Sequence, residues 1–150
     1  MHLNTSSRRC FLKVIGVGSA LGTLAGCSSS AAAPEAFSDA AAGNVSATTV
    51  GMLKALDTAP AILGRDDKGL YAMTSTCTHQ GCDMIHDGTV SDSGVTCNCH
   101  GSRFDVDGNP VAGPANTALQ HFAVSIDANG EITVHGGMDA DSSTRVAVPT

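Results

Sequence analysis

The sequence has few aromatic side chains, and this limits the core that it can build. Its 150 residues include four Phe, one Tyr and no Trp. The core must therefore consist mainly of Val, Ile, Leu and Ala, and a domain of about 100 residues gains only modest stability from burial. Six cysteines are available for covalent or metal cross-links, which would offset the small core.

Basic side chains are scarce outside the first 26 residues. Those residues contain Arg8, Arg9 and Lys13 and no acid, whereas the remainder carries 14 acids and 5 bases. Phosphate binding needs a basic surface, so this distribution argues against nucleic acid as a partner. An acidic body is compatible with basic or neutral redox partners, and equally with a role in solubility alone.

The N-terminal region lacks an apolar run of transmembrane length. Its 12 apolar residues, 14–25, would span about 18 Å as a helix, against a hydrocarbon core of ~30 Å. The preceding segment, 7–13, resembles a twin-arginine export signal, and Leu24-Ala25-Gly26-Cys27 resembles a bacterial lipobox. The sequence therefore predicts a signal peptide over 1–26 and a lipid anchor on Cys27, at the outer face of the cytoplasmic membrane or in the periplasm. An uncleaved segment that serves as a short, poor anchor is the alternative.

The rest of the chain divides by composition into three parts. Residues 27–49 are rich in Ser, Ala, Gly and Thr and predict a flexible tether. Residues 50–137 predict the folded domain, and residues 138–150 predict a polar tail. Within the domain only residues 51–57 are compatible with a helical turn.

Strand and turn signals alternate along the domain. Three four-residue turns rich in Asp, Ser, Asn and Gly separate apolar runs and predict hairpins: residues 66–69, 91–94 and 127–130. Around the last turn, alternate residues are apolar, as a half-buried antiparallel sheet requires. The predicted fold class is all-β, a small antiparallel sandwich or barrel.

Four cysteines and two histidines fall in two short boxes. The boxes are Cys77-Thr78-His79-Gln80-Gly81-Cys82 and Cys97-Asn98-Cys99-His100-Gly101-Ser102. Both lie between predicted strands, where loops can present several side chains to one point. In each box a cysteine and a histidine two or three residues apart can turn toward one centre. Two thiolates and two imidazoles form a metal-binding set.

The two boxes resemble the Rieske 2Fe–2S family, in which Cys-x-His-x-Gly-Cys is followed by Cys-x-Cys-His-x-Ser. Residues 104–108 and 113–115 also match, and the likeness covers about residues 60–135. The resemblance implies a Rieske-type sandwich with a cluster-binding subdomain of two loops and one 2Fe–2S cluster. It implies the following pairs: Cys77 and Cys97 on one iron, His79 and His100 on the other, and Cys82 and Cys99 in the disulfide of the exported branch.

By the same resemblance, five further residues surround the cluster. Gly81 and Gly101 would let backbone N–H groups approach the cluster sulfurs. Pro114 would belong to a rigid loop that covers the cluster, and Ser102 matches a serine that donates to a bridging sulfide. Phe104 stands where high-potential members have Tyr, so it cannot donate to a ligand cysteine. We expect the reduction potential of the cluster to lie roughly 40 mV below that of an equivalent protein with Tyr at this position.

The remaining histidines and several acids are predicted to be surface groups. His121 and His135 share the polar side of the last hairpin and are expected to be exposed. His86 is expected to be a surface or hydrogen-bonded loop residue. Four acids near the boxes are expected to form a mostly solvated rim: Asp83, Asp87, Asp105 and Asp107.

Three functions in different classes fit the sequence. The favoured one is one-electron transfer by an exported, membrane-associated carrier or small subunit of a periplasmic oxidoreductase, with a cytochrome or molybdenum oxidase subunit as partner. The second is the quinol-oxidising Rieske subunit of a cytochrome bc-type complex, against which the missing transmembrane helix counts. The third is a zinc-binding module. The chain carries no nucleotide-binding glycine pattern, so we expect an electron-transfer component and not a complete enzyme.

Overall fold

The computed structural model describes residues 36–149. The predicted signal peptide, the lipidation site at Cys27 and the first part of the tether lie outside these residues. The described chain contains ten strands and one short 3-10 helix. The strands are β1 (Ala40–Asn44), β2 (Leu53–Ala55), β3 (Ala61–Arg65), β4 (Leu70–Thr74), β5 (Gly88–Ser91), β6 (Gly94–Cys97), β7 (Arg103–Phe104), β8 (Pro110–Ala112), β9 (His121–Ile126) and β10 (Glu131–Ala140).

The strands form two antiparallel sheets. The larger sheet has the order β1-β10-β9-β4-β3-β2, and the smaller sheet has the order β5-β6-β7-β8. All three hairpins predicted from turn residues form, as β3–β4, β5–β6 and β9–β10. In the last of these, Val124 lies opposite Val134 and Ile126 opposite Ile132, so the predicted apolar side is confirmed. The all-β antiparallel prediction is therefore correct.

Two apolar clusters lie on opposite faces of the larger sheet. Successive residues of β3 alternate between them, because Ile62 belongs to one cluster and Leu63 to the other. The Ile62 cluster continues into the smaller sheet through Val95 and Phe104, so it joins the two sheets. Burial of one such large side chain contributes about 1.5–3 kcal/mol. The boxes that carry the cysteines and histidines project from the edge of this shared cluster.

The folded domain extends beyond its predicted bounds at both ends. Residues 27–49 were expected to be a tether, yet residues 40–44 form β1 and pair with β10. Residues 138–150 were expected to be a polar tail, yet β10 continues to Ala140, and Val146 pairs with Leu70. Both segments pair with the sheet through backbone hydrogen bonds. They contain few of the large apolar residues that mark a strand in a sequence, and for that reason the sequence pattern does not predict them as strands.

Part of the segment 51–57, which from sequence alone is compatible with a helical turn, forms a strand. β2 occupies Leu53–Ala55 and pairs with β3, and the 3-10 helix lies earlier, at Val45–Ala47. Asn44 begins that helix, because its side chain accepts a hydrogen bond from the Ser46 N–H. A three-residue strand is too short for its alternation to be read from sequence. Within residues 36–149, no helix has the length and apolar character needed to cross a membrane.

Candidate metal centre

The two boxes fold into loops with the same backbone hydrogen bonds; we call residues 77–82 and 97–102 the ligand loops. The first follows β4 and the second lies between β6 and β7. In each loop, the N–H of the first residue donates to the carbonyl five residues later. The N–H four residues later donates back to the first residue's carbonyl, and all four distances are 2.8–3.0 Å. Because the two loops have the same backbone hydrogen bonds, residues at equivalent positions take equivalent places in each loop.

A glycine occupies the fifth position of each ligand loop. Gly81 and Gly101 have φ angles of 75° and 82°, a left-handed conformation that favours glycine. A Cβ atom would meet nothing within 4 Å at either position, so conformation selects glycine here and close packing does not. Their own N–H groups donate to the carbonyls of Cys77 and Cys97. These bonds close the loops, and the expected role of the glycines in letting N–H groups approach the cluster sulfurs stays a prediction.

Two buried thiols lie at the base of the ligand loops. Cys77 and Cys97 are 3% and 1% exposed and belong to the apolar cluster between the sheets. In the described chain they are the cysteines outside the disulfide. Burial raises the pKa of the Cys97 thiol, and the nearby Cys77 thiol raises it further. The backbone N–H groups of Cys99 and His100 hydrogen-bond to the Cys97 sulfur and act in the opposite direction. N–H groups thus do face a ligand sulfur, but they come from residues other than the glycines.

Each ligand loop also contributes a histidine. The ring centres of His79 and His100 lie 4.9 Å apart with the rings nearly perpendicular. The Nδ1 atom of His79 is buried and has no hydrogen-bond partner among the described residues. An unpaired buried polar atom costs about 1–3 kcal/mol, so this nitrogen is suited to bind a metal. Two buried thiols and two adjacent imidazoles match the donor set of a 2Fe–2S centre with mixed ligands.

A disulfide joins the ligand loops. Cys82 and Cys99 are bonded, with their Cα atoms 6.7 Å apart, which confirms the predicted pair. The sulfurs of Cys82, Cys97 and Cys99 all lie within 4.8 Å of one another. That group is not itself a metal site, because a disulfide offers no thiolate. Cys97 and the nearby Cys77 therefore remain as the sulfur donors.

A third loop, residues 113–117, packs against both ligand loops; we call it the proline loop. The Ala115 N–H donates to the buried Ser102 Oγ at 2.9 Å. The Thr78 hydroxyl donates to the Thr117 carbonyl at 2.7 Å. Because Ser102 only accepts in this contact, its own proton is free to donate to another acceptor. Pro114 is exposed at the surface of the loop. Thr78 was not singled out from sequence, although a hydroxyl beside a ligand position is a usable signal.

Phe104 lies next to the ligand loops and is almost fully buried. It pairs with Val95 across β6 and β7 and belongs to the cluster that contains both thiols. Its ring supplies apolar contact at the base of the loops and no hydrogen-bond donor.

Three of the four acids of the predicted rim, Asp83, Asp105 and Asp107, make specific contacts while staying partly exposed, and Asp87 is exposed. Asp83 accepts from the Ser75 hydroxyl at 3.1 Å and contacts His86 Nδ1 at 2.6 Å. Partial burial opposes ionisation of Asp83, but its hydrogen bonds hold its pKa below the usual value. The same contact raises the pKa of His86, which is exposed and hydrogen-bonded as expected. Asp105 accepts N–H groups of Asp107 and Asn109 and so shapes its turn.

A polar joint on the C-terminal segment was also missed; we call it the Arg145 joint. The Arg145 side chain is 9% exposed and contacts Asp66 at 2.6 Å and Asp107 at 2.5 Å. Its guanidinium lies 3.9 Å from the centre of the Tyr71 ring, whose hydroxyl donates to the Val106 carbonyl. Burial and nearby carboxylates raise the pKa of Tyr71 to about 12. Since Asp66 belongs to a turn of the larger sheet and Asp107 to a turn of the smaller, Arg145 connects the two sheets.

His121 and His135 differ from their predicted exposure. His121 is 3% exposed, stacks on Tyr71 with ring centres 6.0 Å apart, and contacts the Leu119 carbonyl. Burial lowers its pKa, so it is neutral near pH 7. His135 is partly covered and contacts Asp39. Parity in the hairpin does not report exposure here, because Tyr71 stacks on His121, and Asp39, in the segment before β1, contacts His135.

Fold and donor set together define a class: small all-β iron–sulfur proteins that transfer electrons through a mixed cysteine and histidine centre. The family model described as the Rieske [2Fe-2S] domain matches residues 36–123, and the chain belongs to that family. The resemblance drawn from the two boxes is therefore confirmed. With it come the 2Fe–2S cofactor and one-electron transfer as the chain's chemistry.

Parts of the chain are similar to relatives with different names. It is 41% identical over 70 residues to the cytochrome b6-f complex iron-sulfur subunit of Cyanothece sp., covering 44% of this chain and 38% of that one. It is 34% identical over 84 residues to the carotenoid phi-ring synthase of Chlorobaculum tepidum, covering 56% and 12%. The chain thus spans less than half the length of these relatives. Among solved structures, the plasma membrane Rieske protein of Synechocystis PCC 6803 is 24% identical with a TM-score of 0.43, covering 63% and 97%.

Proposed function

We propose that Cys77, His79, Cys97 and His100 hold the 2Fe–2S cluster of an exported, membrane-associated electron-transfer protein. The observation that carries this proposal is the placement of the donors in two close pairs: two buried thiols beside each other, and two imidazoles with ring centres 4.9 Å apart, one with an unpaired buried nitrogen. The same four donors could hold zinc. The match to the family model of the Rieske [2Fe-2S] domain is what favours the cluster over zinc.

The chain's own residues create an asymmetric environment for this centre. When bound, the cluster accepts and releases one electron, at a higher potential than all-cysteine clusters because neutral imidazoles replace two thiolates. Phe104 and Ala115 keep water from the buried thiols. His100 is exposed, so the histidine side is the face through which electrons exchange with a partner. The Ser102 proton is free to stabilise negative charge on the sulfur side.

The proposed location rests on the N-terminal sequence and on the disulfide. Export by the twin-arginine route follows from Arg8 and Arg9, and attachment to the outer face of the cytoplasmic membrane follows from a lipid on Cys27. Disulfides persist in oxidising compartments, so the Cys82–Cys99 bond supports an extracytoplasmic site. The partner would be a cytochrome or a molybdenum oxidase subunit.

A second candidate is the quinol-oxidising subunit of a cytochrome bc-type complex. The similarity to cytochrome b6-f iron-sulfur subunits favours it. Copurification of a cytochrome b with the tagged protein from native membranes would select this candidate. Copurification of a molybdenum-containing subunit would select the first.

The ligand assignment is tested by four single substitutions in the full chain: Cys77→Ser, His79→Gln, Cys97→Ser and His100→Gln. We expect each to lose the iron and the reduced-state EPR signal. His86→Gln is the matched control, since His86 is an exposed histidine outside the donor set. Retention of iron in any ligand variant, or zinc in place of iron in the native chain, would contradict the assignment.

The anchor is tested separately by Cys27→Ser. We expect this variant to leave the membrane fraction, while Cys10→Ser, a cysteine in the same leader, remains attached. Replacement of Arg8 and Arg9 by Lys should keep the protein in the cytoplasm. A Cys27→Ser variant that still sediments with membranes would exclude acylation as the attachment.

A further inference from the structure

Three polar side chains on the larger sheet form a hydrogen-bonded chain outside the metal centre. His135 Nδ1 lies 2.7 Å from Asp39 Oδ2, and His135 Nε2 lies 2.8 Å from Ser125 Oγ. We call these three residues the Ser125 triad. A hydroxyl, an imidazole and a carboxylate connected in this order are the groups of an activated serine nucleophile.

The topology of the sheet brings the Ser125 triad together from three separate segments. Asp39 directly precedes β1, Ser125 lies in β9, and His135 lies in β10. β10 is the strand between β1 and β9, so His135 can contact Asp39 on one side and Ser125 on the other. Ser125 is the partner of Thr133, two residues before His135, which makes the serine and the histidine diagonal neighbours on one face.

These contacts determine which ring nitrogen of neutral His135 carries the proton. An ionised carboxylate only accepts hydrogen bonds, so the Nδ1–H group donates to Asp39. Nε2 then has the lone pair and accepts a hydrogen bond from the Ser125 hydroxyl. The imidazole is thus oriented as the base that removes the proton from Ser125 Oγ, and the Asp39 carboxylate favours the imidazolium that results.

The serine is open to solvent, whereas the histidine is largely shielded. Ser125 is exposed, and the His135 side chain is 23% exposed. An acyl donor can therefore reach the Ser125 hydroxyl directly. Water reaches the same position and solvates the negative charge that develops on the carbonyl oxygen during attack. Unreactive substrates such as amides need preorganised donors for that charge, so an open site favours esters whose leaving groups depart easily.

We propose that Ser125 is a nucleophile for acyl transfer, activated by His135 and positioned by Asp39, with esters that have a good leaving group as substrates. Ser125 Oγ attacks the ester carbonyl carbon, and its proton passes to His135 Nε2. The bond to the leaving group breaks, the leaving group takes that proton, and the acyl group stays on Oγ. A water molecule that gives a proton to the same nitrogen then releases the acyl group as a carboxylic acid. No electron is exchanged, so this chemistry does not require the cluster.

The nucleophile is tested by treating the holoprotein with a fluorophosphonate, which bonds to an activated serine with loss of fluoride. Mass spectrometry of the peptides locates the product. Ser143 is the internal control, because it is exposed and its hydroxyl donates to the Asp141 carboxylate and not to an imidazole. General base catalysis contributes about 10²–10⁴-fold, so we expect Ser125 to be labelled at least about a hundredfold faster than Ser143. Equal labelling of the two serines would overturn the proposal.

The base is tested by His135→Gln. Glutamine keeps hydrogen-bonding groups at this position but cannot take up the proton. We expect labelling of Ser125 to fall to the level of Ser143, while the visible spectrum of the cluster stays that of the native protein. Labelling at the native rate in this variant would overturn the proposal.

The positioning role of Asp39 has a spectroscopic signature. In Asp39→Asn the amide N–H group can donate to His135 Nδ1, and the ring proton then moves to Nε2, where it faces Ser125. We expect the nitrogen NMR shifts of His135 to report this exchange of tautomer, together with a loss of Ser125 labelling. Undiminished labelling would overturn the role assigned to Asp39.

Turnover is tested by the hydrolysis of p-nitrophenyl acetate. We expect the holoprotein to release nitrophenolate, and Ser125→Ala to lose that activity. His86→Gln is the control for hydrolysis by a surface imidazole, since His86 is exposed and lies outside the Ser125 triad. An unchanged rate in Ser125→Ala, or loss of the rate in His86→Gln, would overturn the proposed activity.

Discussion

The smaller sheet is fastened to the larger one at two places that use different interactions. At the first, which we call the tip and which comprises residues 77–82, 97–102 and 113–117, a disulfide, buried thiols and hydroxyl hydrogen bonds connect loops from both sheets. At the Arg145 joint, one guanidinium connects an aspartate of each sheet. The first joint is covalent and largely uncharged, whereas the second depends on ionised groups. We therefore expect the tip to resist salt and acid, and the Arg145 joint to weaken in both.

Removal of the disulfide should have the largest effect. Cys82 and Cys99 are 17 residues apart, and closing a loop of that size contributes roughly 3 kcal/mol. In the double variant Cys82→Ser, Cys99→Ser, the apoprotein should lose about that free energy of unfolding. The holoprotein should lose less, because the cluster ties the same two loops. Guanidinium unfolding of the apoprotein and the holoprotein measures the free energy lost in each. An equal loss in both forms would show that the cluster does not help to hold the two ligand loops together.

The Arg145→Met variant should have the next largest effect. It keeps the apolar stem and removes the charge between Asp66 and Asp107. These carboxylates are about a third to a half exposed, so after solvent screening we expect a loss of about 1–2 kcal/mol. The native protein should lose a similar amount in high salt, whereas the variant should be insensitive to salt. Lys54→Met, at an exposed position of β2, is the control. A variant as stable as the native protein would show that the joint is not stabilising.

The tip was predictable from sequence because its information is local. Each ligand loop lies within six consecutive residues, and the glycine, cysteine and histidine positions are fixed by one loop conformation. The three hairpins are local in the same sense, because their turns consist of residues that favour turns. The two features that specify this chemistry, the loop and the donor, therefore appear side by side in the chain.

The Arg145 joint was not predictable because its partners are distant in sequence. Arg145 is 79 residues from Asp66 and 38 from Asp107, and no periodic pattern relates them. The same holds for Asp39 and His135, which are 96 residues apart. A charged residue in a polar stretch reads as solvated until the fold brings its partner to it. This is why the sequence alone predicts a tail over the C-terminal segment and a tether over the residues of β1.

The Phe104→Tyr variant tests the chemistry of the tip. A tyrosine hydroxyl that reaches a ligand sulfur would donate one hydrogen bond, worth about 1 kcal/mol, and raise the potential by roughly 40 mV. Because Phe104 is almost fully buried, an unpaired hydroxyl would instead destabilise the fold. Redox titration and thermal unfolding together decide between these outcomes. A lower melting temperature with no upward shift in potential would contradict the expectation.

The smallest expected effect is a pH dependence of the Arg145 joint through His121. Burial lowers the His121 pKa, and the Arg145 charge lowers it further, although the Leu119 carbonyl opposes both. The unfolded chain binds a proton at the ordinary value of about 6.5, whereas the folded chain binds it only at lower pH. The contribution of His121 to stability is therefore complete above that pH and falls as pH decreases through the folded pKa. Urea unfolding between about pH 8 and 5.5 should show this decline, and His121→Phe should flatten it.

The control for His121 is His86, whose pKa is raised by Asp83 and not lowered. Its contribution to stability has the opposite sign: it is present below the unfolded pKa and is lost as pH rises through the folded value. His86→Gln should therefore steepen the decline on acidification, while His121→Phe reduces it. If both variants shift the profile in the same direction, the burial of His121 does not control the response. In that case the acid sensitivity would lie with Asp66, whose pKa is held down by Arg145 despite partial burial and which titrates at lower pH.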